Sequence, residues 1–404
     1  MKDDVIVGLD IGTTKICAVI GERTSEGIDV VGVGISPSLG LRKGMVVNIE
    51  QTVRSIRKAV EDAEVMSGHE IKSVYTGIAG THIMGFNSHG VIAIKGGEVT
   101  QKDIERVIDA AKAVAIPLDK ELIHVIPQEF IVDDQRGITD PLGMAGVRLE
   151  VKVYIVTGAV TSVQNIIRSC HRAGLDLNDI VLESLASSHA VLTKDEREIG
   201  VALVDIGGGT TDLSVFYNDT IKHIKTIPLG GGNLTNDIAF GLRTSINNAE
   251  QIKKKHGCAL AELVQGDEVV EVPGIGGREA KRLSRRILAE ICEPRVEEIL
   301  SLVDQELISS GYKNVLGAGV VLTGGGAMLD GIIDLAEQIF GLPVRIGIPQ
   351  GVGGLKEEIS DPKFSTAVGL LLYGAQNHET SAIVKDGMFK GFFSKMKKWL
   401  SKIA

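Results

Sequence analysis

The stretch VGLDIGTT at residues 7–14 returns in nearly the same form as LVDIGGGTT at residues 203–211. Each copy is an apolar run that ends in aspartate and continues with glycines and hydroxyl side chains, and a β-rich run follows it, at 16–20 and 213–217. Both copies therefore predict β-hairpins. Glycine lets successive backbone N–H groups converge on an anion, threonine adds donors, and aspartate can hold a hydrated divalent cation.

One copy alone is weak evidence, because aspartate and glycine are ordinary turn residues. The second copy and a third glycine cluster at 324–326 strengthen the interpretation. This cluster follows the apolar run 320–323 and precedes a helical pattern at 328–340. A strand, a glycine turn and a helix start can form the wall on which a purine or ribose lies. Together the three motifs predict a cleft that closes on a nucleotide from two sides.

Composition sets limits on the class of protein. The chain has 404 residues, 44% of them hydrophobic, with 49 glycines and a formal net charge of −9. Such an acidic chain does not fit nucleic-acid binding, whereas buried strands and glycine-rich turns fit an α/β protein. Four widely spaced cysteines predict reduced buried thiols and a cytoplasmic location, rather than a zinc site. The start of the chain carries no apolar leader, and no run of 18 apolar residues occurs, so we expect neither export nor a membrane span.

The order of predicted elements suggests two lobes, each with an addition. We expect a first lobe from 1–84 and 162–197, with an inserted α+β unit at 85–161. We expect a second lobe from 198–229 and 314–375, with a subdomain at 230–313 that contains a long helix from Glu279 to Gly311. The polar, aperiodic residues 376–387 predict a flexible linker.

The last segment, 388–404, predicts an amphipathic helix. Its apolar residues recur at helical spacing, its lysines carry no acidic neighbour, and the pattern is typical of a helix that lies flat on anionic lipid. Docking on the protein's own body and binding to a calmodulin-type partner are the alternatives. The residues expected to contact the membrane are Phe389, Phe392, Phe393, Met396, Trp399, Leu400 and Ile403, together with Lys395, Lys397 and Lys398.

The motifs GLDIGTTK at 8–15, LESLASS at 182–188 and DIGGGTTD at 205–212, with the insertion and the tail, resemble the superfamily of actin, sugar kinases and DnaK-type chaperones. Within it, the chain most resembles the FtsA family of bacterial cell-division actin homologues. The resemblance implies an actin-like, ribonuclease-H-like duplicated fold in which the insertion is the relocated FtsA subdomain. It also implies ATP and Mg²⁺ as cofactors and at most slow hydrolysis.

Further implications of the resemblance concern place and partners. The family polymerises into protofilaments on the cytoplasmic face of the inner membrane at the division site. It binds the C-terminal peptide of FtsZ through the subdomain at 230–313 and recruits later division proteins. Two other readings stay open: a PilM-like scaffold of a pilus or secretion assembly, and a small-molecule kinase of the same fold.

The resemblance also implies roles for single residues. Asp10 and Asp205 would hold Mg²⁺ through water, and Asp205 and Glu183 would be the catalytic acids, although Glu183 is also an ordinary acid at a helix start. Basic residues at 278–286, expected on or near one helix, form a partner region or a solvated face. The expected nucleotide contacts are Asp10, Gly12, Thr13, Thr14, Lys15, Gly207, Gly208, Gly209, Thr210, Gly231, Gly232, Asn233, Glu250, Lys253, Gly324, Gly325, Gly326 and Met328. The partner region consists of Arg278, Lys281, Arg282, Arg285 and Arg286. The sequence does not decide among Lys253, Lys254 and Lys255.

Overall fold

The computed structural model describes residues 5–266 and 268–383, with side chains to residue 377 in the last helix. The described strands, in chain order, are β1 (Val5–Ile11), β2 (Lys15–Thr24), β3 (Gly27–Pro37), β4 (Leu41–Arg42), β5 (Met45–Val46), β6 (Ser73–Ile78), β7 (Met84–Ala93), β8 (Lys120–Val132), β9 (Gln135–Ile138), β10 (Arg148–Ala159), β11 (Asp176–Leu182), β12 (Val201–Ile206), β13 (Thr211–Tyr217), β14 (Thr220–Ile227), β15 (Val269–Val272), β16 (Lys281–Ser284), β17 (Val320–Thr323), β18 (Val344–Ile346) and β19 (Gly353–Gly354).

The described α-helices are α1 (Ile49–Ser67), α2 (Gln101–Lys112), α3 (Val160–Ala173), α4 (Glu183–Val191), α5 (Lys194–Ile199), α6 (Gly231–Leu242), α7 (Ile246–His256), α8 (Arg285–Ser309), α9 (Ile332–Phe340) and α10 (Ser365–Ile383). Helix α1 begins where the Asn48 side chain accepts from the amide of Gln51, and it ends at Gly68 in the left-handed conformation. Within the described residues, no helix is both long and apolar enough to cross a bilayer.

Each lobe is built on a sheet whose centre is one of the two predicted hairpins. In the first sheet the strand order is β11-β6-β1-β2-β3-β19, and in the second it is β14-β13-β12-β17-β18. Strands β1 and β2 pair antiparallel, as do β12 and β13, while β6 and β17 lie parallel to β1 and β12 respectively. The predicted hairpins are therefore confirmed, and each is the central strand pair of a lobe. Both turns emerge at the carboxyl ends of the parallel strands, where ligand sites of α/β sheets lie.

The inserted unit folds as a separate four-stranded antiparallel sheet in the order β7-β10-β8-β9, with α2 on one face. Alternate residues of β10 explain this packing. Leu149, Val151 and Val153 are fully buried in a cluster that includes Val107 of α2, whereas Lys152 points to the opposite, partly exposed face. The insertion thus has its own small hydrophobic core. On its second face, Tyr154 and Val156 of β10 are buried in the core that contains residues of the two lobes.

The end of the described chain differs from the sequence-based division. Strand β19 pairs with β3, and α10 packs on β1, β2, β6 and α4, so these two elements lie with the first lobe although 314–375 was expected in the second. The short turn at Pro362–Phe364 between them contacts the third glycine cluster of the second lobe. Helix α10 also continues to Ile383 through the first part of the expected linker 376–387. Apolar side chains of α10, such as Leu370 and Leu371, are fully buried, which explains the return to the first sheet.

The subdomain at 230–313 differs from expectation in its basic segment. The long helix begins at Arg285 and not at Glu279, because residues 281–284 form β16, which pairs with β15. Ser284 caps the helix, since its side chain accepts from the amide of Arg286. The basic residues at 278–286 therefore lie on a loop, a strand and a first helical turn instead of one helix face.

Helices α4 and α10 approach each other so closely that a glycine is required at the crossing. A Cβ atom on Gly369 would lie 1.9 Å from the carbonyl oxygen of Ala186, well inside any real contact. The side chain of Ser187 follows directly on α4. The crossing therefore fixes α4 and α10 relative to each other, and both helices belong to the side of the first lobe that faces the second hairpin.

We predict that Gly369→Val lowers the free energy of unfolding by about 3 kcal/mol, because an overpacked crossing forces α10 away from α4. Thermal unfolding followed by calorimetry measures the change. Gly96→Val is the matched control, because a Cβ atom on Gly96 has no neighbour within 4 Å. Equal transition temperatures for both variants would show that the crossing does not need a glycine.

Candidate nucleotide site

The turns of the two hairpins face each other across the space between the lobes. A Cβ atom on Gly208 would lie 2.2 Å from Cγ2 of Thr14, and one on Gly209 would lie 2.7 Å from Oγ1 of Thr13. The repeated motifs are therefore neighbours in space, although they are far apart in sequence. A further hydrogen bond fixes the side chain of Thr13, since its hydroxyl accepts from the amide of Gly44 at 2.9 Å.

Backbone N–H groups at both turns have no backbone acceptor among the described residues. This holds for Gly12, Thr13, Gly208 and Gly209, whereas the amide of Gly207 donates to the carbonyl of Thr210 at 2.9 Å and closes its own turn. Amides without an acceptor are costly when they lose water, and a group of them suits an anion. The two turns thus offer backbone N–H donors to phosphate oxygens from opposite sides.

Four carboxylates meet behind these turns: Asp10, Glu183, Asp205 and Asp212. Lys15 donates to Asp10 at 2.7 Å, and this contact raises the pKa of Lys15 although burial works against it. Burial raises the pKa of Asp205, and the nearby charge of Asp10 adds to the effect. Repulsion and burial together disfavour the fully ionised cluster, and a bound cation would relieve both.

Glu183 is the first residue of α4 and is partly buried beside Gly77. Burial raises its pKa well above the usual range, and the charges of Asp10, Asp212 and Asp205 raise it further. A helix start by itself would favour the ionised form and so act in the opposite direction. The environment of Glu183 is therefore that of the acidic cluster, and it is not explained by the helix start alone.

Asp205 is held by hydroxyl groups from two helices of the first lobe. Ser187 of α4 donates to its Oδ2 at 3.0 Å and Thr366 of α10 at 3.3 Å, and the two hydroxyls are 3.0 Å apart. Gly324 approaches the same carboxylate, because a Cβ atom there would lie 2.3 Å from Oδ1 of Asp205. The second lobe's aspartate is thus oriented by the first lobe and by the third glycine cluster.

Asp212 is the functional candidate that the sequence analysis missed. It lies opposite Asp205 in the β12–β13 register, where the first hairpin places Cys17 opposite Asp10. Burial raises its pKa to about 7, and Asp205 adds to the effect, although the hydroxyl of Thr226 opposes it with a 2.5 Å hydrogen bond. Counting residues across the turn would have revealed the pair, because like charges directly opposite each other destabilise a sheet.

The structure distinguishes the three consecutive lysines of α7. Lys253 donates to the carbonyl of Gly231 at 2.9 Å and to Glu250 at 2.7 Å, and only 15% of its side chain is exposed. Lys254 contacts Glu250 from outside and is 64% exposed. Lys253 lowers the pKa of Glu250 although burial opposes this. The pair Glu250 and Lys253 therefore faces the start of α6, and the structure distinguishes Lys253 from its neighbours where the sequence does not.

Other predicted contacts differ in how they are engaged. Gly231 and Gly232 stack on the second turn, since their amides donate to the carbonyls of Gly207 and Gly208. Asn233 turns its side chain to the amide of Gly230 and so caps α6. Met328, at the end of a short 3-10 turn after the third glycine cluster, is 49% exposed. The structure places the remaining predicted contacts, Thr210, Gly325 and Gly326, on the turns that border the cleft.

The predicted partner region is only partly available. Arg285 donates to Glu268 and Asp330 and to the carbonyl of His256, and 18% of its side chain is exposed. Arg286 pairs with Glu290 on the helix surface. Lys281 and Arg282 are exposed on β16, and Arg278 is exposed before it. The partly buried guanidinium of Arg285, paired with Glu268 and Asp330, is thus a structural group of this subdomain.

The predicted membrane segment lies outside the described residues. This applies to Phe389, Phe392, Phe393, Lys395, Met396, Lys397, Lys398, Trp399, Leu400 and Ile403. Among the described residues, no group of three or more His, Cys, Asp or Glu side chains is arranged to hold a metal ion directly. Cation binding at the acidic cluster would therefore require water or phosphate oxygens as further ligands.

Comparison with known proteins connects this geometry to a family. The family described as "Cell division protein FtsA" matches residues 202–369, and "SHS2 domain inserted in FTSA" matches 80–157. The cell division protein FtsA of Pseudomonas aeruginosa is 52% identical over 385 residues, which cover 95% of this chain and 91% of that protein. The FtsA of Neisseria meningitidis is 47% identical over 400 residues, 97% of each chain.

This chain belongs to the FtsA family. It is therefore a cell-division protein, and the insertion at 85–161 corresponds to the SHS2 domain of FtsA. The resemblance noted from the motifs is confirmed.

Solved structures show the fold. A "PilM-PilN type IV pilus biogenesis complex" has a TM-score of 0.66 at 17% identity, covering 91% of this chain and 98% of that one. MreB5 of Spiroplasma citri bound to ADP has a TM-score of 0.56 at 14% identity, covering 96% and 100%. At such identities the likeness supports the actin-like fold alone, which FtsA members share with these proteins.

We predict that Asp212→Asn stabilises the nucleotide-free protein at pH 8. The raised pKa means that the folded state favours protonated Asp212, so its stabilising contribution is present below about pH 4 and is lost as pH rises toward 7. The amide removes the charge, and the melting temperature should rise by about 2 °C at pH 8, with a smaller difference at pH 5. Glu61→Gln on the exposed face of α1 is the charge control. A lower melting temperature of the Asp212 variant at pH 8 would contradict the direction.

Proposed function

We propose that this chain binds ATP with Mg²⁺ between its two lobes and assembles as an actin-like division protein on the membrane. The observation that carries the nucleotide proposal is the contact between the two hairpin turns, with unpaired amides in front and carboxylates behind. The FtsA family gives the biological setting. The actin-like neighbour MreB5, whose structure is described as bound to ADP, supports the choice of ligand.

Each side of the cleft has a distinct task in this proposal. The amides of Gly12, Thr13, Gly208 and Gly209 hold phosphate oxygens, and Lys15 offsets their charge. Asp10 and Asp205 hold the water shell of Mg²⁺, whose positive charge offsets that of the phosphates when the ion is bound. The pair Glu250 and Lys253, with Gly324 to Gly326 and Met328, borders the nucleoside. Lys253 fits because its ammonium already faces Gly231 at the start of α6.

Glu183 is proposed to orient water near the terminal phosphate. Its raised pKa places it among groups that change protonation when neighbouring charge changes. The described cleft residues include Lys15 but no arginine at the turns, and phosphoryl transfer depends on charge compensation. We therefore propose slow hydrolysis at most, which serves assembly more than turnover.

The assembly proposal rests on family and sequence. FtsA membership supports protofilament formation, recruitment of later division proteins and binding of the FtsZ C-terminal peptide to the subdomain at 230–313. For that partner, the exposed cations Arg278, Lys281 and Arg282 are the available candidates, whereas Arg285 is engaged internally. The apolar and lysine pattern of 388–404 supports attachment to the cytoplasmic face of the inner membrane.

We predict that Gly208→Asp abolishes ATP binding while the fold persists. The new carboxylate would stand against Thr14 and repel phosphate, so affinity should fall by at least about 100-fold. Titration with a fluorescent ATP analogue in the presence of Mg²⁺ measures the affinity, and circular dichroism reports the fold. Gly96→Asp, in open space on the insertion, adds the same charge as a control. Unchanged affinity of the Gly208 variant would remove the cleft assignment.

We predict that vesicles containing anionic lipid pellet the intact protein but not a version that ends at Asp386. Burial of the apolar stripe and about 1 kcal/mol per lysine near anionic headgroups supply the binding. A labelled FtsZ C-terminal peptide should pellet only with the intact chain. Neutral vesicles are the control for charge. Equal pelleting of both versions would remove the proposed membrane anchor, and absence of the peptide from the pellet would remove the proposed FtsZ contact.

A further inference from the structure

Strand β11 lies at the edge of the first sheet and pairs only with β6 there. An edge strand leaves N–H groups without partners on its open side. The backbone N–H of Leu182, the last residue of β11, donates to Nε2 of His124 at 3.0 Å. His124 belongs to β8, so the inserted unit supplies the acceptor for the edge of the first lobe.

The hydrogen bond requires a neutral imidazole, because Nε2 accepts only while it carries no proton. Burial lowers the pKa of His124 to about 4 and so keeps the ring neutral at physiological pH. The ring packs edge-on against Tyr373 of α10, with centroids 6.4 Å apart, and the Tyr373 hydroxyl donates to Asp179 at 3.2 Å. The rings of Tyr75 and His189 also pack edge-on against Tyr373, with centroids 6.3 and 5.9 Å away. The ring of His124 thus contacts two elements of the first lobe, β11 through Leu182 and α10 through Tyr373.

Leu182 immediately precedes Glu183, and it is the N-cap residue of α4 without a side-chain cap of its own. One turn further along, Ser187 donates to Asp205. The direction of the first turn of α4 therefore determines where both Glu183 and Ser187 stand. The hydrogen bond from Leu182 to His124, which lies outside the helix, therefore affects the positions of Glu183 and Ser187 together.

We infer that His124 is a positioning residue for the nucleotide cleft: it fixes Leu182 and thereby orients the first turn of α4, with Glu183, toward the acidic cluster. The inference rests on the proposed role of Glu183. It gives the inserted unit a part in the chemistry of the cleft that its sequence does not reveal. His124 does not touch the acids itself, so it acts only through the backbone of Leu182.

The insertion offers an internal control for this role. Tyr154 of β10 accepts from the amide of Ile224 at 3.1 Å, and Gln128 of β8 donates to the carbonyl of Ile221 at 2.6 Å. Both bonds also join a side chain of the insertion to main chain, but they reach β14 of the second lobe and not α4. Losing one of them removes a similar bond without releasing Glu183.

The test compares His124→Phe, which keeps an aromatic ring without an acceptor, with His124→Gln, whose amide oxygen can accept near the position of Nε2. Single-turnover ATP hydrolysis and ATP affinity are measured with Mg²⁺. We expect His124→Phe to lower the hydrolysis rate about tenfold, since small misplacements of a reacting group are costly, with little change in affinity. We expect His124→Gln to restore the rate, and Tyr154→Phe to leave it unchanged. If His124→Phe does not fold, His124→Leu replaces it.

The variant Glu183→Gln distinguishes failure of the proposed role of Glu183 from failure of the positioning role of His124. If it leaves the rate of the parent chain unchanged, or if that rate is not above the background without protein, the proposed role of Glu183 fails and the inference falls with it. If Glu183→Gln is slow but His124→Phe is as fast as the parent, only the inference is overturned. Equal slowing by Tyr154→Phe, or failure of His124→Gln to restore the rate, would also overturn it. Combining His124→Phe with Glu183→Gln should slow hydrolysis no further than Glu183→Gln alone.

Discussion

The structure depends on the close approach of four carboxylates, Asp10, Glu183, Asp205 and Asp212, at the meeting point of two lobes. Burial and the neighbouring negative charges raise the pKa of Glu183, Asp205 and Asp212, and so weaken the folded state when no cation is bound. Only one described ammonium, that of Lys15, bonds to a member of this cluster. The fold accepts this cost because several elements converge there, each supplying one acid or one hydroxyl.

Those hydroxyls explain why the first lobe is needed to orient Asp205, the carboxylate of the second lobe. Asp205 comes from β12, but Ser187 and Thr366 bond to it from α4 and α10. Gly369 allows these helices to cross in contact, so the two donors stand 3.0 Å apart. A change in the distance between the lobes would separate Asp205 from its donors. The cleft is therefore a joint property of both lobes.

Much of this could be predicted from local sequence. The hairpins, the third glycine turn and the insertion follow from apolar runs and turn residues that act over a few positions. The return of β19 and α10 to the first sheet could not, because nothing local distinguishes one buried face from another. The same holds for Lys253: three successive lysines differ only in which side of α7 they occupy relative to α6. Asp212 is a different case, because its position opposite Asp205 follows from the length of the turn between them and is contained in the local sequence.

Helix α10 begins beside Asp205, through Thr366, and ends at Ile383, 19 residues in all. Such a helix is about 28 Å long, and the residues with the membrane-binding pattern follow its far end in sequence. Turning a rigid rod of this length by ten degrees carries its tip sideways by about 5 Å. If a shift of Asp205, the proposed ligand of hydrated Mg²⁺, tilted α10 together with its packed neighbours by this angle, the displacement would reach Ile383, from which the chain continues in sequence toward residues 388–404.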